Sequence, residues 1–234
     1  SVGLLKGTFL CGAANCLPTN SYVTFGVSYA PHGFLDLNGF DQQVKFLNYN
    51  SYSGGAVTTN MPVRSATPAT LTLQGDASTR TFVGYFTNRV SLCYRNTGAL
   101  ILNGPTSASR TEGSLLIEAG SVVFTNGASW VGSTNITVSS GTLAVAGGSG
   151  ATFGGSDVTV NKTRLHLTSA TSTVYLAAGV SDYVYAATVD GRRLQAGSYG
   201  SASSSAQNKS SLFTGSGILN VLRTEGAGTL ISLQ

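Results

Sequence analysis

The segment EGSLLIEAGSVVFTNG at 112–127 is answered by NITVSSGTLAVAGG at 135–148, and this repetition constrains the fold more than any other feature of the chain. Leu115-Leu116-Ile117 aligns with Ile136-Thr137-Val138 and then with Val158-Thr159-Val160, at offsets of 21 and 22 residues. Val122-Val123-Phe124 aligns with Leu143-Ala144-Val145 and Leu165-His166-Leu167 at the same offsets. The outer residues of each triplet are apolar and the middle one varies, which is the two-residue period of a strand with one buried face. Each unit therefore reads as two short strands and a corner.

A unit of this size cannot bury its own apolar face, so successive copies must stack, as in a solenoid. Two strands of about four residues per unit leave no room for a helix, and stacked copies would form parallel ladders about 4.8 Å apart. The expected fold is all-β: a right-handed parallel β-helix with about 21–22 residues per rung in the clearest copies and capped ends. The outer residues of all six triplets should point inward. Gly120 and Gly141 share one corner, where glycine admits a left-handed backbone, while Thr163 stands there in the third copy. Residues 90–104 read as an earlier rung with Leu92, Tyr94, Leu100 and Leu102 inward, and 34–40, 69–76 and 80–86 as further strands.

The chain is expected to be one continuous domain: residues 1–30 an N-terminal cap or junction, 31–172 the rungs, and 173–234 a closing segment of several longer strands. GSASSSAQNKSS (200–211) reads as an exposed loop. Only 9% of residues are charged, against about 25% in an ordinary soluble domain, whereas 58 are Ser or Thr. Hydroxyls must coat this surface, a composition suited to a secreted or cell-surface protein. The 13 basic residues form no run and alternate with no aromatic ladder, so the net charge of +4 does not indicate nucleic acid. No apolar stretch reaches the about 18 residues of a membrane span. Ser1-Val2-Gly3 reads as the start of a processed piece, with an upstream domain as its expected partner. Cys11 and Cys16 flank a short Gly-containing loop that suits a disulfide in an oxidising compartment, and Cys93 reads as a buried apolar residue. With only His32 and His166 beside the cysteines, no metal site and no cofactor site is expected.

SYAPHGFLDLNGFDQQVKFL, SLCYRNTGALILNG, EGSLLIEAGSVVF and NITVSSGTLAVAGG resemble the autotransporter-associated β-strand repeats of large secreted and surface proteins, over roughly residues 28–168. The phrase from 173 to 222 is similar to the ends of passenger-type segments. The resemblance implies a non-catalytic extracellular stalk, spacer or carbohydrate-facing accessory module that follows a catalytic or adhesive domain. It names no ligand.

Polysaccharide hydrolases and lyases also use parallel β-helices, so an enzyme is the alternative. Glycoside hydrolysis needs two carboxylates roughly 5–9 Å apart. Among nine acidic residues, Asp36 and Asp41 in FLDLNGFDQ are the pair that could share a face, although Asp in such a phrase also suits a corner. His166 and Arg164 fall on the outward side of their strand, where solvated decoration is expected. His32 beside Pro31 reads as a loop residue, and GATFGGSD (150–157) as a turn without the lysine of a phosphate loop. Flat outward faces could instead bind glycans by aromatic stacking; Trp130, Tyr85, Phe86 and Tyr94 are the candidates by type, although some must belong to the core. Thr137 and Thr159 occupy equivalent outward positions, as in the threonine arrays of ice-binding solenoids. Asn135, Asn161 and Asn208 open glycosylation sequons at expected corners or loops.

Overall fold

The computed structural model describes residues 1–4, 6–26, 33–49, 61–104, 111–133, 135–147 and 152–225; His32 lies outside them. All regular structure in these residues is β, and the sheets are mostly parallel, as alternating triplets without a helical period require. Successive strands go to different sheets. Tyr85–Tyr94, Leu115–Ile117, Asn135–Val138 and Arg164–Leu167 lie side by side in a long sheet. The strands that follow each of them, Ala99–Leu102, Ser121–Phe124, Gly141–Val145 and Ser172–Leu176, lie side by side in a second. Each unit thus contributes one strand to each sheet.

The ladders show where the repeat holds. Leu115 pairs with Ile136, and Val122 with Leu143, both at the expected offset of 21. Leu92 pairs with Leu115 and Leu100 with Val122, so the rung at 90–104 stands where its pattern places it. The N-terminal residues join the same scheme: Thr8–Leu10 runs parallel to Phe34–Asp36, and Val2–Leu4 to Tyr22–Phe25.

The third copy departs from the expected register. Leu165 pairs with Ile136 and Leu143 with Val174, at offsets of 29 and 31, so Leu143 and Leu165 are not neighbours but lie in different sheets. Val158-Thr159-Val160 forms no strand, and Val160 is 62% exposed instead of inside. The reason is local. Asp157 accepts the Thr159 amide at 2.8 Å and its hydroxyl at 2.7 Å, while the Asp157 carbonyl accepts the amides of Val160 and Asn161. A short polar side chain that bonds its own backbone outcompetes the ladder here, and 152–163 becomes an insertion between rungs. Of the other eleven residues of the six triplets expected inside, ten are buried and Val158 is half-buried. The closing segment differs too: from residue 172 onward the strands are two to five residues long, and two pairings become antiparallel. Residues 200–211 fold back as turns and the short strand Asn208–Lys209, with Ser204 and Ala206 buried, where an exposed loop was expected.

Apolar side chains from both sheets meet in one continuous core. A row of rings passes through it: Phe25 to Phe82 at 5.4 Å, Phe82 to Phe86 at 5.7 Å and Phe86 to Trp130 at 5.3 Å between centroids. Gly98, Gly120 and Gly141 stack at one corner, the latter two with φ of +58° and +91°. A Cβ would lie 2.2 Å from the Gly98 carbonyl oxygen at Gly120, and 2.3 Å from the Gly120 carbonyl oxygen at Gly141. Neither backbone oxygen can move without breaking a ladder.

Gly141→Ala should therefore lose about 2–4 kcal/mol of unfolding free energy through left-handed strain and overlap. Gly147→Ala, at a site open to solvent, should stay within about 0.5 kcal/mol of the parent in the same urea titration. Tyr94 is fully buried and its hydroxyl has no hydrogen-bond partner. Tyr94→Phe removes a desolvated, unpaired group and should raise the urea midpoint by the equivalent of about 1 kcal/mol; a loss of stability would show that the hydroxyl is satisfied in solution.

Candidate functional site

The carboxylate pair does not converge on a reaction centre. Asp36 accepts the Asn38 amide at 3.0 Å and pairs with Arg64 Nε at 3.0 Å, and Asp41 accepts the Thr70 amide at 2.7 Å. Both oxygens of Asp36 and one of Asp41 are thus spent on a corner amide and on the neighbouring strand Pro62–Leu73.

Three of the four aromatic candidates are core residues and not glycan contacts, Tyr94 in the inward position that its rung pattern assigns. Trp130 is 1% exposed and donates Nε1 to the Gly113 carbonyl at 3.2 Å. Phe86 and Tyr94 occupy inward positions of Tyr85–Tyr94. Tyr85 is half-buried at the start of that strand. Large rings fill the space between the sheets, because Leu and Val alone would leave voids where the cross-section is wide.

Among the sequons, Asn161 is also corrected. It is buried, donates Nδ2 to the Gly155 and Tyr183 carbonyls, and accepts the Thr163 amide, so it offers no amide to a glycan. Asn135 is exposed but begins a strand, and Asn208 is exposed with Nδ2 on the Ser198 carbonyl. Thr159 leaves the outward column, which runs Leu116, Thr137, His166 and Thr188. Cys11 and Cys16 stand as free thiols where a bridge was expected. Cys16 Sγ turns to Gln42 Oε1 at 3.5 Å, and burial followed by the contact with Cys16 pushes the Cys11 thiol up to about 12.

The most developed polar surface lies where the insertion at 152–163 meets the end of the long sheet. One cavity of about 390 Å³ is lined by Thr87, Asn88, Glu112, Gly132, Val160 and Lys162. A second, of about 380 Å³, is lined by Arg164, Tyr185, Arg223, Thr224 and Glu225. Lys162 joins them: its Nζ lies 5.1 Å from the Tyr185 ring centre, and the Arg164 guanidinium carbon lies 5.3 Å from it. Arg164 Nε donates to Glu225, and Arg193 Nη1 donates to the Glu225 carbonyl at 3.2 Å. Beside them His166 contacts Thr188 Oγ1 at 2.9 Å and Asn135 Oδ1 at 3.3 Å; burial lowers its basicity, and Arg164 lowers it further against the opposing pull of Glu225.

Behind this surface Asp182 is fully buried and anchors the insertion, accepting the amides of Thr152 at 3.2 Å, Phe153 at 3.4 Å and Tyr183 at 2.8 Å. Burial raises its carboxyl above the usual range even though these bonds oppose the shift. The two cavities bring together cations, the carboxylates of Glu112 and Glu225, and hydroxyls, and no cluster of metal-ligating side chains occurs among the described residues. Sequence reasoning missed Lys162, Tyr185, Arg193, Arg223 and Glu225; the one signal for them was charge gathering near the C-terminus of a charge-poor chain. Compared with protein-family models, curated proteins and solved structures, the chain matches none.

The cysteine environments predict differential labelling. Iodoacetamide at pH 8 should modify the exposed Cys16 in the folded protein within minutes, and the buried Cys11 and Cys93 only after denaturation. Peptide mass mapping reads the order, and equal labelling of all three would contradict it.

Proposed function

We propose that this chain is a non-catalytic, glycan-facing structural or adhesive module of a larger secreted or surface protein, built as a right-handed parallel β-helix with capped ends. The observation that carries this reading is the alternation of strands between two parallel sheets, with partners stepping 21 to 23 residues through the middle of the chain. The resemblance of its phrases to autotransporter-associated β-strand repeats supports it, and the hydroxyl-rich surface suits an extracellular setting.

The fate of the carboxylates supports a binding role over the alternative, a polysaccharide hydrolase or lyase. Asp36, Asp76, Glu112, Glu118 and Glu225 each pair with an arginine. Asp41, Asp157 and Asp182 accept backbone amides, and Asp190 sits in a turn at φ +53°. Eight of the nine carboxylates thus have a structural occupation, and the ninth, Asp190, has no second acid beside it in an acid–base pair among the hydrogen bonds and ion pairs of the described residues.

In sedimentation assays with insoluble plant, fungal and algal polysaccharides, the chain should co-sediment with at least one and release neither reducing nor unsaturated ends from any. Release that disappears in Asp36→Asn/Asp41→Asn, with the circular dichroism spectrum preserved, would replace the module by an enzyme.

A further inference from the structure

We propose that Lys162, Arg164, Arg193 and Arg223, gathered around Tyr185 and Glu225, form a recognition site for the carboxylate or sulfate groups of an acidic polysaccharide. This rests on the glycan-facing reading above and gives that surface a ligand class and a place.

Charge is the first ground. Arg164, Arg193 and Arg223 face the one carboxylate of Glu225, an excess of two positive charges in a chain whose net charge is only +4, and Lys162, whose charge also acts on Asp157, stands beside them. Elsewhere the arginines that form ion pairs do so one to one: Arg64 with Asp36, Arg80 with Asp76, Arg89 with Glu112 and Arg95 with Glu118. A surplus held together at the cost of mutual repulsion calls for an anion that is not part of the described residues.

Donor geometry is the second. Glu225 engages Arg164 through Nε, so the two terminal amino groups of that guanidinium have no partner among the described residues. The Arg223 side chain has none either, although its backbone amide is fixed to the Tyr185 carbonyl at 2.8 Å. Guanidinium forks of this kind match planar carboxylates and sulfate oxygens with paired bonds. Tyr185, with Lys162 and Arg164 near its ring, and Glu225 hold the cations in place before any ligand arrives, which lowers the ordering cost of binding.

Shape selects the class of polyanion. The cavity at Arg164 and Arg223, at about 380 Å³, is within the range of small-ligand sites, and Lys162 connects it to the about 390 Å³ cavity lined by Thr87, Asn88 and Glu112. The two cavities adjoin at Lys162 and Tyr185, cationic on one side and on the other lined by Thr87, Asn88 and the arginine-paired Glu112, an arrangement suited to a linear chain bearing acidic and neutral hydroxyl groups together. Nucleic acid is disfavoured because, of the two rings that line these cavities, Phe153 is fully buried and Tyr185 is already occupied by cations, which leaves no platform for base stacking.

The test is binding of the intact chain to polygalacturonate, dextran sulfate, uncharged dextran and single-stranded oligothymidylate, measured by affinity electrophoresis or calorimetry at two salt concentrations. Polygalacturonate or dextran sulfate should bind, more weakly at high salt, and at least tenfold more tightly than oligothymidylate. Arg164→Gln/Arg223→Gln should weaken this binding tenfold or more, whereas Arg64→Gln/Arg95→Gln, with the same loss of charge at residues that touch no lining residue of the site, should change it less than threefold. Arg223→Gln alone, at an exposed side chain without a partner, secures the result against misfolding and should cost at least threefold. Free galacturonate or inorganic sulfate that competes at equal charge concentration would mean that a small anion is the ligand and would overturn the polysaccharide assignment. Equal losses in both double variants, or oligothymidylate binding as tight as that of the acidic glycans, would overturn it as well. Dextran or another neutral glycan bound in preference, and unaffected by the variants, would remove this site while leaving the glycan-facing module; no binding to any glycan would remove both.

Discussion

The apolar triplets of one unit are covered only because the strand of the next unit lies hydrogen-bonded beside them, and every other feature depends on that ladder. Backbone bonds set the spacing, but side chains at equivalent positions reinforce it. Asn126 Nδ2 donates to Asn103 Oδ1 at 2.7 Å and Ser114 contacts Ser91, each across 23 residues. Thr142 and Thr173 share a bond of 2.7 Å across 31. At the corners, hydroxyls of Thr125, Ser139 and Ser172 donate to carbonyls of the preceding unit. Such bonds meet main-chain acceptors that a tight corner leaves short of partners. The abundance of Ser and Thr is then a structural requirement of the corners as much as a surface coating.

The insertion at 152–163 shows what happens when the period is interrupted. Its ends return the chain to both sheets, so the ladders continue at offsets of 29 and 31. Its interior is held by Phe153 against Phe124 at 5.6 Å and by the buried carboxylate of Asp182. Burying that acid is costly unless its oxygens are bonded, and three amides from two separate segments meet the need. Asn161 ties the insertion to the Tyr183 carbonyl on the next rung. The excursion is thereby fixed rather than loose, and it sets Lys162 beside Tyr185.

The parts of the fold legible in the sequence are those where the unit repeats without interruption. Leu92, Leu115 and Ile136 could be aligned because nothing but the period lies between them. Val158-Thr159-Val160 imitates Ile136-Thr137-Val138 in composition, and only the hydrogen bonds of Asp157 distinguish them. Trp130 sits in an irregular connection with no alternation to assign its side, so its size, and not its pattern, pointed to the apolar interior that it covers. The site was hidden for a different reason. Arg164 and Glu225 are 61 residues apart, and their meeting follows from which strand lies next to which after an insertion of unforeseen length.

A stacked architecture turns sequence separation into lateral distance, and that explains how a sparse charge complement can still produce a concentrated patch. Arg89 with Glu112 and Arg95 with Glu118 repeat at 23 residues, one rung apart, so each cation meets a carboxylate of the adjoining unit. Exposed pairs of this kind contribute only about 0–1 kcal/mol each, which makes them more important for neutralising the face than for stability. At the end of the long sheet the period has lapsed, and Ala186–Val189 is followed by an antiparallel return that brings Arg193 back beside it. The turn of that return carries Asp190, while the carboxylate of Glu225 is engaged by Arg164 and its carbonyl by Arg193. Repetition neutralises charge through the middle of the stacked strands, and where it lapses three arginines gather around one carboxylate.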